Sequence, residues 1–178
     1  KVADSIIGAG AIGLLFAAQL QQKGIDVTLY TRTTTQANKL EAEGLYLLQH
    51  GHRYHVPVRA QTLTKKTNIP DSFIIVAVKQ YQLDDVFPIL KQNSHGKLFL
   101  FLQNGMGHLT YLEKLKECQI FLGIVEHGAK KISENEVIHT GIGQTKIAPF
   151  RNIEQDSVPP IVQTWKRPDF PFEIQMDG

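Results

Sequence analysis

The run Ile6-Ile7-Gly8-Ala9-Gly10-Ala11-Ile12-Gly13 limits what this chain can fold into more than any other stretch. A G-x-G-x-x-G spacing alone is weak, because glycine-rich turns are common. Here it stands between a short apolar strand and an apolar-periodic helix, the setting in which such a loop cradles a pyrophosphate. Gly8 permits the tight turn out of the strand, Gly10 lets the backbone approach phosphates, and Gly13 lets the helix pack close to the strand. The helix, read over Ala11 to Lys23, carries Leu14, Leu15, Ala17, Ala18 and Leu20 as a wide apolar face. Its unpaired N–H groups and the positive end of its dipole point at the loop. Gly24 closes the helix, and Asp26-Val27-Thr28-Leu29-Tyr30 reads as a second strand, completing one βαβ unit.

The rest of the chain extends this unit. A threonine in Thr31-Arg32-Thr33-Thr34-Thr35 can cap a helix over about Gln36 to Glu43, ended by Gly44. Leu45 to Leu48 and Tyr54 to Val58 predict an antiparallel hairpin around Gly51 at one edge of the sheet, where Pro57 is tolerable. Phe73-Ile74-Ile75-Val76-Ala77-Val78 is continuously apolar, as in a strand buried on both faces, and Lys79 stands at its end. A helix from about Gln82 to Lys91 places Leu83, Val86, Phe87 and Leu90 on one side. Lys97 to Leu102 is another buried strand, leading into Gln103-Asn104-Gly105-Met106-Gly107 and a helix to about Lys116. After the strand Ile120 to Val125, the segments Ala129 to Ile132, Val137 to Thr140 and Thr145 to Ala148 read as an antiparallel extension of the sheet. A short helix over Val158 to Lys166 and a last strand, Phe172 to Gln175, complete the expected order. The expectation is an α/β, Rossmann-type, doubly wound and mostly parallel sheet with an antiparallel extension, forming one domain over residues 1–178.

In such a sheet, ligands sit outside the carboxyl ends of the strands near the switch in strand order. Four sets of residues fall there: Gly8 to Gly13, Thr31-Arg32, Lys79 with Gln80-Tyr81-Gln82, and Gln103-Asn104-Gly105. Arg32 lies nineteen positions after Gly13, just past the second strand. An NAD enzyme usually carries Asp or Glu near this place to hold the ribose 2′-hydroxyl. An arginine, with Thr31 or Thr33 adding a hydroxyl, suits the 2′-phosphate of NADP instead. Lys79 is placed to meet a ribose or a phosphate, against the plainer alternative of a strand-end lysine reaching water. Asn104 either caps its turn or uses its amide on a carbonyl and a ribose hydroxyl.

Other features exclude more than they assign. A net charge of +2, with no dense basic run beyond Lys65-Lys66 and Lys130-Lys131, is no nucleic-acid footprint. No stretch is long and apolar enough for a bilayer-spanning helix, and the apolar amino-terminal residues lead straight into a second strand, unlike a signal peptide. The single cysteine, Cys118, rules out an internal disulfide and reads as a structural residue. These features predict a cytoplasmic protein acting on a small molecule, with no nucleic acid or membrane partner; oligomeric state stays open, a homodimer included. The first residue is Lys rather than Met, which suggests a trimmed end. His50, His52 and His55 match no standard metal spacing and read as a solvated hairpin tip. Ser5 lacks the G-x-S-x-G setting of a hydrolase nucleophile.

Taken together, several motifs resemble the ketopantoate reductase (2-dehydropantoate 2-reductase) family. They are Gly8-Ala9-Gly10-Ala11-Ile12-Gly13, Arg32, Val78-Lys79-Gln80-Tyr81-Gln82, Leu102-Gln103-Asn104-Gly105-Met106-Gly107 and His127-Gly128-Ala129-Lys130. The resemblance covers essentially the whole chain, as that family's amino-terminal domain. It implies NADPH-dependent reduction of 2-dehydropantoate to (R)-pantoate, in the route to pantothenate and coenzyme A. It further implies that residues Gly8, Ala9, Gly10, Ala11, Ile12 and Gly13 cradle the pyrophosphate and that Arg32 holds the 2′-phosphate. Lys79 and Gln82 would line the cofactor site, Asn104 would sit by the nicotinamide ribose and the substrate, and Ala129 would offer a backbone contact. The family's general-acid lysine lies in a second, helical domain, expected to begin about where this chain ends at Gly178; no residue here is matched to it, Lys166 included. The alternatives are a non-catalytic NADP(H)-binding module and a reductase of a related 2-keto acid.

Overall fold

The elements follow from the apolar pattern. In the computed structural model, which describes residues 3–103, 109–150 and 172–174, they run β1 (Ala3–Ile7), α1 (Ala11–Gln22), β2 (Asp26–Thr31), α2 (Thr34–Glu43), β3 (Leu45–Gln49), β4 (His52–Val56) and β5 (Arg59–Thr62). Next come β6 (Phe73–Val76), a 3-10 turn (Gln80–Gln82), α3 (Leu83–Gln92), β7 (Leu98–Gln103), α4 (Leu109–Leu112) and β8 (Gln119–Val125). The last are β9 (Gly128–Ser133), β10 (Glu136–Gly141), β11 (Thr145–Pro149) and β12 (Phe172–Ile174). The expected helix over 158–166 lies outside the described residues.

An eight-stranded sheet has the order β12-β11-β8-β7-β6-β1-β2-β5. Strands β5 to β8 with β1 and β2 are parallel; β11 runs antiparallel to β8, and β12 parallel to β11. The chain winds outward from β1 through β2 to β5, then returns to the other side of β1 through β6, β7 and β8. This is the doubly wound order, and its reversal lies between β1 and β6. All of Phe73, Ile74, Ile75 and Val76 are buried, as a strand covered on both faces requires. On one face Leu83, Val86 and Leu90 of α3, with Leu112 and Leu115, pack on Ile7, Ile74, Val76, Phe99, Phe101 and Ile120. On the other face α1 and α2 pack on Ile6, Leu29, Ala60 and Ile75.

The hairpin of β3 and β4 does not lie at an edge of this sheet, as the sequence suggested. It belongs to a second, four-stranded sheet of order β4-β3-β10-β9. The hairpin of β9 and β10 joins it through a parallel pairing of β10 with β3, so only β11 provides the expected antiparallel extension among these three strands. The reason is written on α1. Every residue from Gly13 to Leu20 is buried, so the helix is apolar nearly all round and needs cover on both sides. The main sheet covers one side and the small sheet the other, with Leu45, Leu47, Val56 and Val137 in the same core as Leu14, Leu15 and Phe16. His50 (φ 54°) and Gly51 (φ 75°) make the tight turn of the β3–β4 hairpin, both left-handed as a two-residue hairpin turn demands. The edge strand beside β2 is instead the short β5, which pairs Arg59-Ala60-Gln61-Thr62 with Thr28 to Thr31. Its polar composition hid it.

α1 ends as expected at Gly24 (φ 84°): Gly24 N–H donates to Gln21 O and Ile25 N–H to Leu20 O, a Schellman closure. α2 begins on Thr33, whose Oγ1 accepts from Gln36 N–H at 3.2 Å. Among the described residues, no helix is long and apolar enough to cross a membrane.

Candidate functional site

Three connections leave the same edge of the main sheet. Gly8 N–H donates to Tyr30 O at 3.0 Å and Ala77 N–H to Ile7 O at 2.8 Å. The glycine loop after β1 therefore lies between the Arg32 turn after β2 and the Lys79 turn after β6. This is the crevice at the reversal of strand order, where open α/β sheets take their ligands.

The three glycines have different reasons to be glycine. Gly8 has φ +108°, and a Cβ there would lie 2.8 Å from Ala77 O. A Cβ on Gly13 would lie 1.8 Å from Gly8 O, so α1 can meet the loop only through a bare backbone. Gly10 is unlike both. Its backbone (φ −83°, ψ −163°) suits any residue, and nothing lies within 4 Å of where its Cβ would be. Ser, Thr, Asp and Asn are favoured at such a helix N-cap, yet α1 receives no side-chain cap and has no acidic residue in its first turn. Among the described residues the mouth of α1 is thus open, with no side-chain cap and no first-turn acid to offset its positive end. A donor set of backbone N–H groups beneath open space fits the diphosphate of a dinucleotide. Ala9 is buried, while Gly8, Gly10, Ala11 and Ile12 are partly exposed around this mouth.

Arg32 is exposed immediately after β2. Of the two hydroxyls considered beside it, Thr31 is fully buried and donates to Thr33 O at 2.7 Å, so it is turned into the protein. Thr33 stays exposed while capping α2. Lys79 is also exposed. Its N–H donates to Gln82 Oε1 at 3.0 Å and its carbonyl accepts from Gln82 N–H at 2.9 Å. Gln82 therefore shapes the turn that presents Lys79. Ala129, in β9, is partly buried and packs against the core around α1. Asn104, with residues 105–108, lies outside the described residues, as does Lys166.

His127, from the His127-Gly128-Ala129-Lys130 motif, is buried beyond the end of β8. Its Nδ1 lies 3.0 Å from His139 Nε2, and His139 Nδ1 lies 3.0 Å from Gln49 Nε2. This chain of polar side chains joins the end of β8 to the small sheet. Gln36 escaped sequence reasoning altogether. Its Nε2 donates to Ala9 O at 2.8 Å and to Glu134 O at 2.9 Å, joining the glycine loop to the turn between β9 and β10. The pattern Thr33-x-x-Gln36 would have suggested a capping box, in which the glutamine reaches back to its own helix cap. Only the tertiary structure sends it elsewhere.

The remaining candidates are separate from this edge. His50, His52 and His55 are exposed, but only His50 and His52 are at the β3–β4 turn; His55 pairs with Tyr46 at the far end of the hairpin, its Nε2 2.9 Å from Glu43 O. Among the described residues, no group of three or more His, Cys, Asp or Glu is arranged to hold a metal ion. Cys118 is half-buried against the core under α3 and α4, and Ser5 Oγ donates to Asp71 Oδ2 at 2.8 Å. Burial, reinforced by the negative charge of Asp71, pushes the Asp4 carboxyl up to about 7. Burial likewise raises the Tyr30 phenol, opposed by its Ser5 hydrogen bond and assisted by Asp71.

The profile of the family "Ketopantoate reductase PanE/ApbA" matches residues 5–152. A 2-dehydropantoate 2-reductase of Bacillus subtilis is 38% identical over 173 residues, covering 97% of this chain and 56% of that protein. One from Listeria innocua is 36% identical over 170 residues, covering 94% and 56%. The chain thus spans a little over half the length of these relatives. The crystal structure of a probable 2-dehydropantoate 2-reductase from Bacillus subtilis superposes with a TM-score of 0.88 at 37% identity, covering 99% of this chain and 59% of that one. D-mandelate dehydrogenase, solved with NADH and anilino(oxo)acetate, shares the fold with a TM-score of 0.84 at 20% identity, over 98% of this chain and 57% of that one. The fold is the NAD(P)-binding one, and the chain belongs to the ketopantoate reductase PanE/ApbA family.

Proposed function

We propose that this chain is the cofactor-binding half of an NADPH-dependent reductase that converts 2-dehydropantoate to (R)-pantoate, a step toward pantothenate and coenzyme A. The observation that carries the reading is the open, uncapped mouth of α1 above Gly10, flanked by the exposed Arg32. When bound, NADPH supplies the hydride for the C2 ketone of the substrate. The backbone N–H groups of Gly10 to Gly13 hold the pyrophosphate, and Arg32 pairs with the 2′-phosphate. Lys79, on the turn shaped by Gln82, meets the cofactor from the other side of the crevice, and Ala129 adds a backbone contact. Asn104 orients the nicotinamide ribose and the substrate. The proton for the developing alkoxide would come from a lysine of a second, helical domain of the full-length enzyme.

The test is a fluorescence titration with NADPH and NADH. The chain is expected to bind NADPH more tightly. Arg32→Ala is expected to weaken NADPH about 10- to 100-fold, the range for a lost charge-assisted pair, and to leave NADH nearly unchanged. Equal affinity for the two dinucleotides in the unsubstituted chain overturns the assignment to NADP.

A further inference from the structure

We infer that Gln36 is a positioning residue for the dinucleotide, holding the glycine loop in its binding shape; the inference rests on the dinucleotide reading above. Gln36 is 5% exposed, on the first turn of α2 and four residues after Arg32. Its side-chain amide sends two N–H bonds to carbonyls of two distant segments, Ala9 in the loop and Glu134 in the β9–β10 turn. Its own backbone N–H is held by the Thr33 cap, so the side chain starts from a fixed point.

The chemistry follows from one planar peptide. The carbonyl of Ala9 and the N–H of Gly10 belong to the same trans unit and point in opposite directions. Pinning the carbonyl to Gln36 turns the Gly10 N–H the other way, and Gly10 caps α1 at its open mouth. A side chain without N–H donors leaves the Ala9 carbonyl without this partner and frees the peptide to rotate. The same amide ties α2, which follows the Arg32 turn, to the hairpin that carries Ala129. Gln36 thus joins three of the segments assigned to the cofactor without itself occupying their surface.

This role predicts a signature different from that of Arg32. Gln36→Met is expected to weaken NADPH and NADH by the same factor, about 10-fold, because both carry the pyrophosphate. Gln36→Glu is expected to weaken both further, since its carboxylate faces two carbonyl oxygens. Asn93→Leu serves as the comparison. Asn93 is an equally buried amide, holding Ile69 N–H, Thr67 O and Ile89 O beside α3, and has no contact with the loop. It is expected to lower the thermal midpoint while sparing dinucleotide affinity. In the unsubstituted chain, the Gln36 side-chain amide resonances are expected to shift on addition of NADPH while those of Asn93 stay in place. Unchanged affinity in Gln36→Met, an equal affinity loss in Asn93→Leu, or unmoved Gln36 resonances overturns the inference and leaves the dinucleotide reading standing. The resonance test holds even if a variant fails to fold. Failure of the unsubstituted chain to bind either dinucleotide removes both.

Discussion

Gly13→Ala is expected to cost more than about 4 kcal/mol of stability, whereas Gly10→Ala, three residues away in the same motif, is expected to stay nearly as stable and to bind the dinucleotide about 10-fold or more weakly. The methyl group at position 13 would sit 1.8 Å from Gly8 O and 2.9 Å from Gly8 C, against an ordinary contact of 3.4 to 4 Å. Both clashing atoms are backbone, so no rotamer change relieves them. The helix would have to withdraw from β1, yet Leu14, Leu15, Phe16, Ala17 and Ala18 are fully buried between two sheets. Overpacking by flexible side chains costs about 1–3 kcal/mol, and a backbone clash in a closed layer costs more. A loss above about 4 kcal/mol is a large part of the 5–15 kcal/mol that holds a domain together. At Gly10 the methyl enters open space, and the change at the N-cap costs less than about 1 kcal/mol. What it does meet is a pyrophosphate approaching the backbone, so NADPH affinity is expected to fall about 10-fold or more. Urea unfolding and NADPH titration check the pair. An unchanged urea midpoint for Gly13→Ala, or unchanged affinity for Gly10→Ala, contradicts the assignment of one glycine to packing and the other to ligand.

The second large effect is electrostatic. Asp4 lies on β1 with neither carboxylate oxygen hydrogen-bonded among the described residues. Its titration is raised from an ordinary 3.8 to about 7, first by burial and then by the charge of Asp71. Between these values the folded chain keeps a proton that the unfolded chain releases. The folded state therefore binds more protons, and stability falls as pH rises through the window. Below about pH 4 the contribution is fully present, and above about pH 7 it is lost. At about 1.4 kcal/mol per pH unit, the loss is on the order of 4 kcal/mol. Asp4→Asn has no charge to lose, so it is expected to match the parent near pH 4 and to exceed its stability increasingly toward pH 8. Urea midpoints of the two chains across this range decide it; a difference that does not grow with pH rejects the buried, unpaired carboxyl as its source.

The βαβ unit around Gly8 to Gly13 and the buried strands β6 and β7 were legible because a parallel strand covered on both faces must be continuously apolar. The placement of Arg32 and Lys79 followed from that frame, since strands aligned in parallel deliver their ends to one edge. The hairpins β3–β4 and β9–β10 were also visible as pairs of short strands around turn residues. Their partners were not. Alternation along a strand reports that one face is buried and says nothing of what buries it, so two hairpins expected along the main sheet instead form a sheet of their own. Short β5 was missed because an edge strand of Arg, Ala, Gln and Thr carries almost no apolar signal.

By itself, then, the sequence determined the layer type, the doubly wound core and the edge where ligand-facing residues collect, because these depend on local periodicity and on glycine spacing along neighbouring residues. Only the tertiary structure decided that α1 is enclosed by two sheets, that Thr31 turns inward, that Gly10 alone among the three glycines has no packing reason to lack a side chain, and that Gln36 reaches Ala9 and Glu134. Those outcomes depend on contacts between segments as many as 98 residues apart, and a hydrogen bond of that reach leaves no spacing in the chain by which to read it.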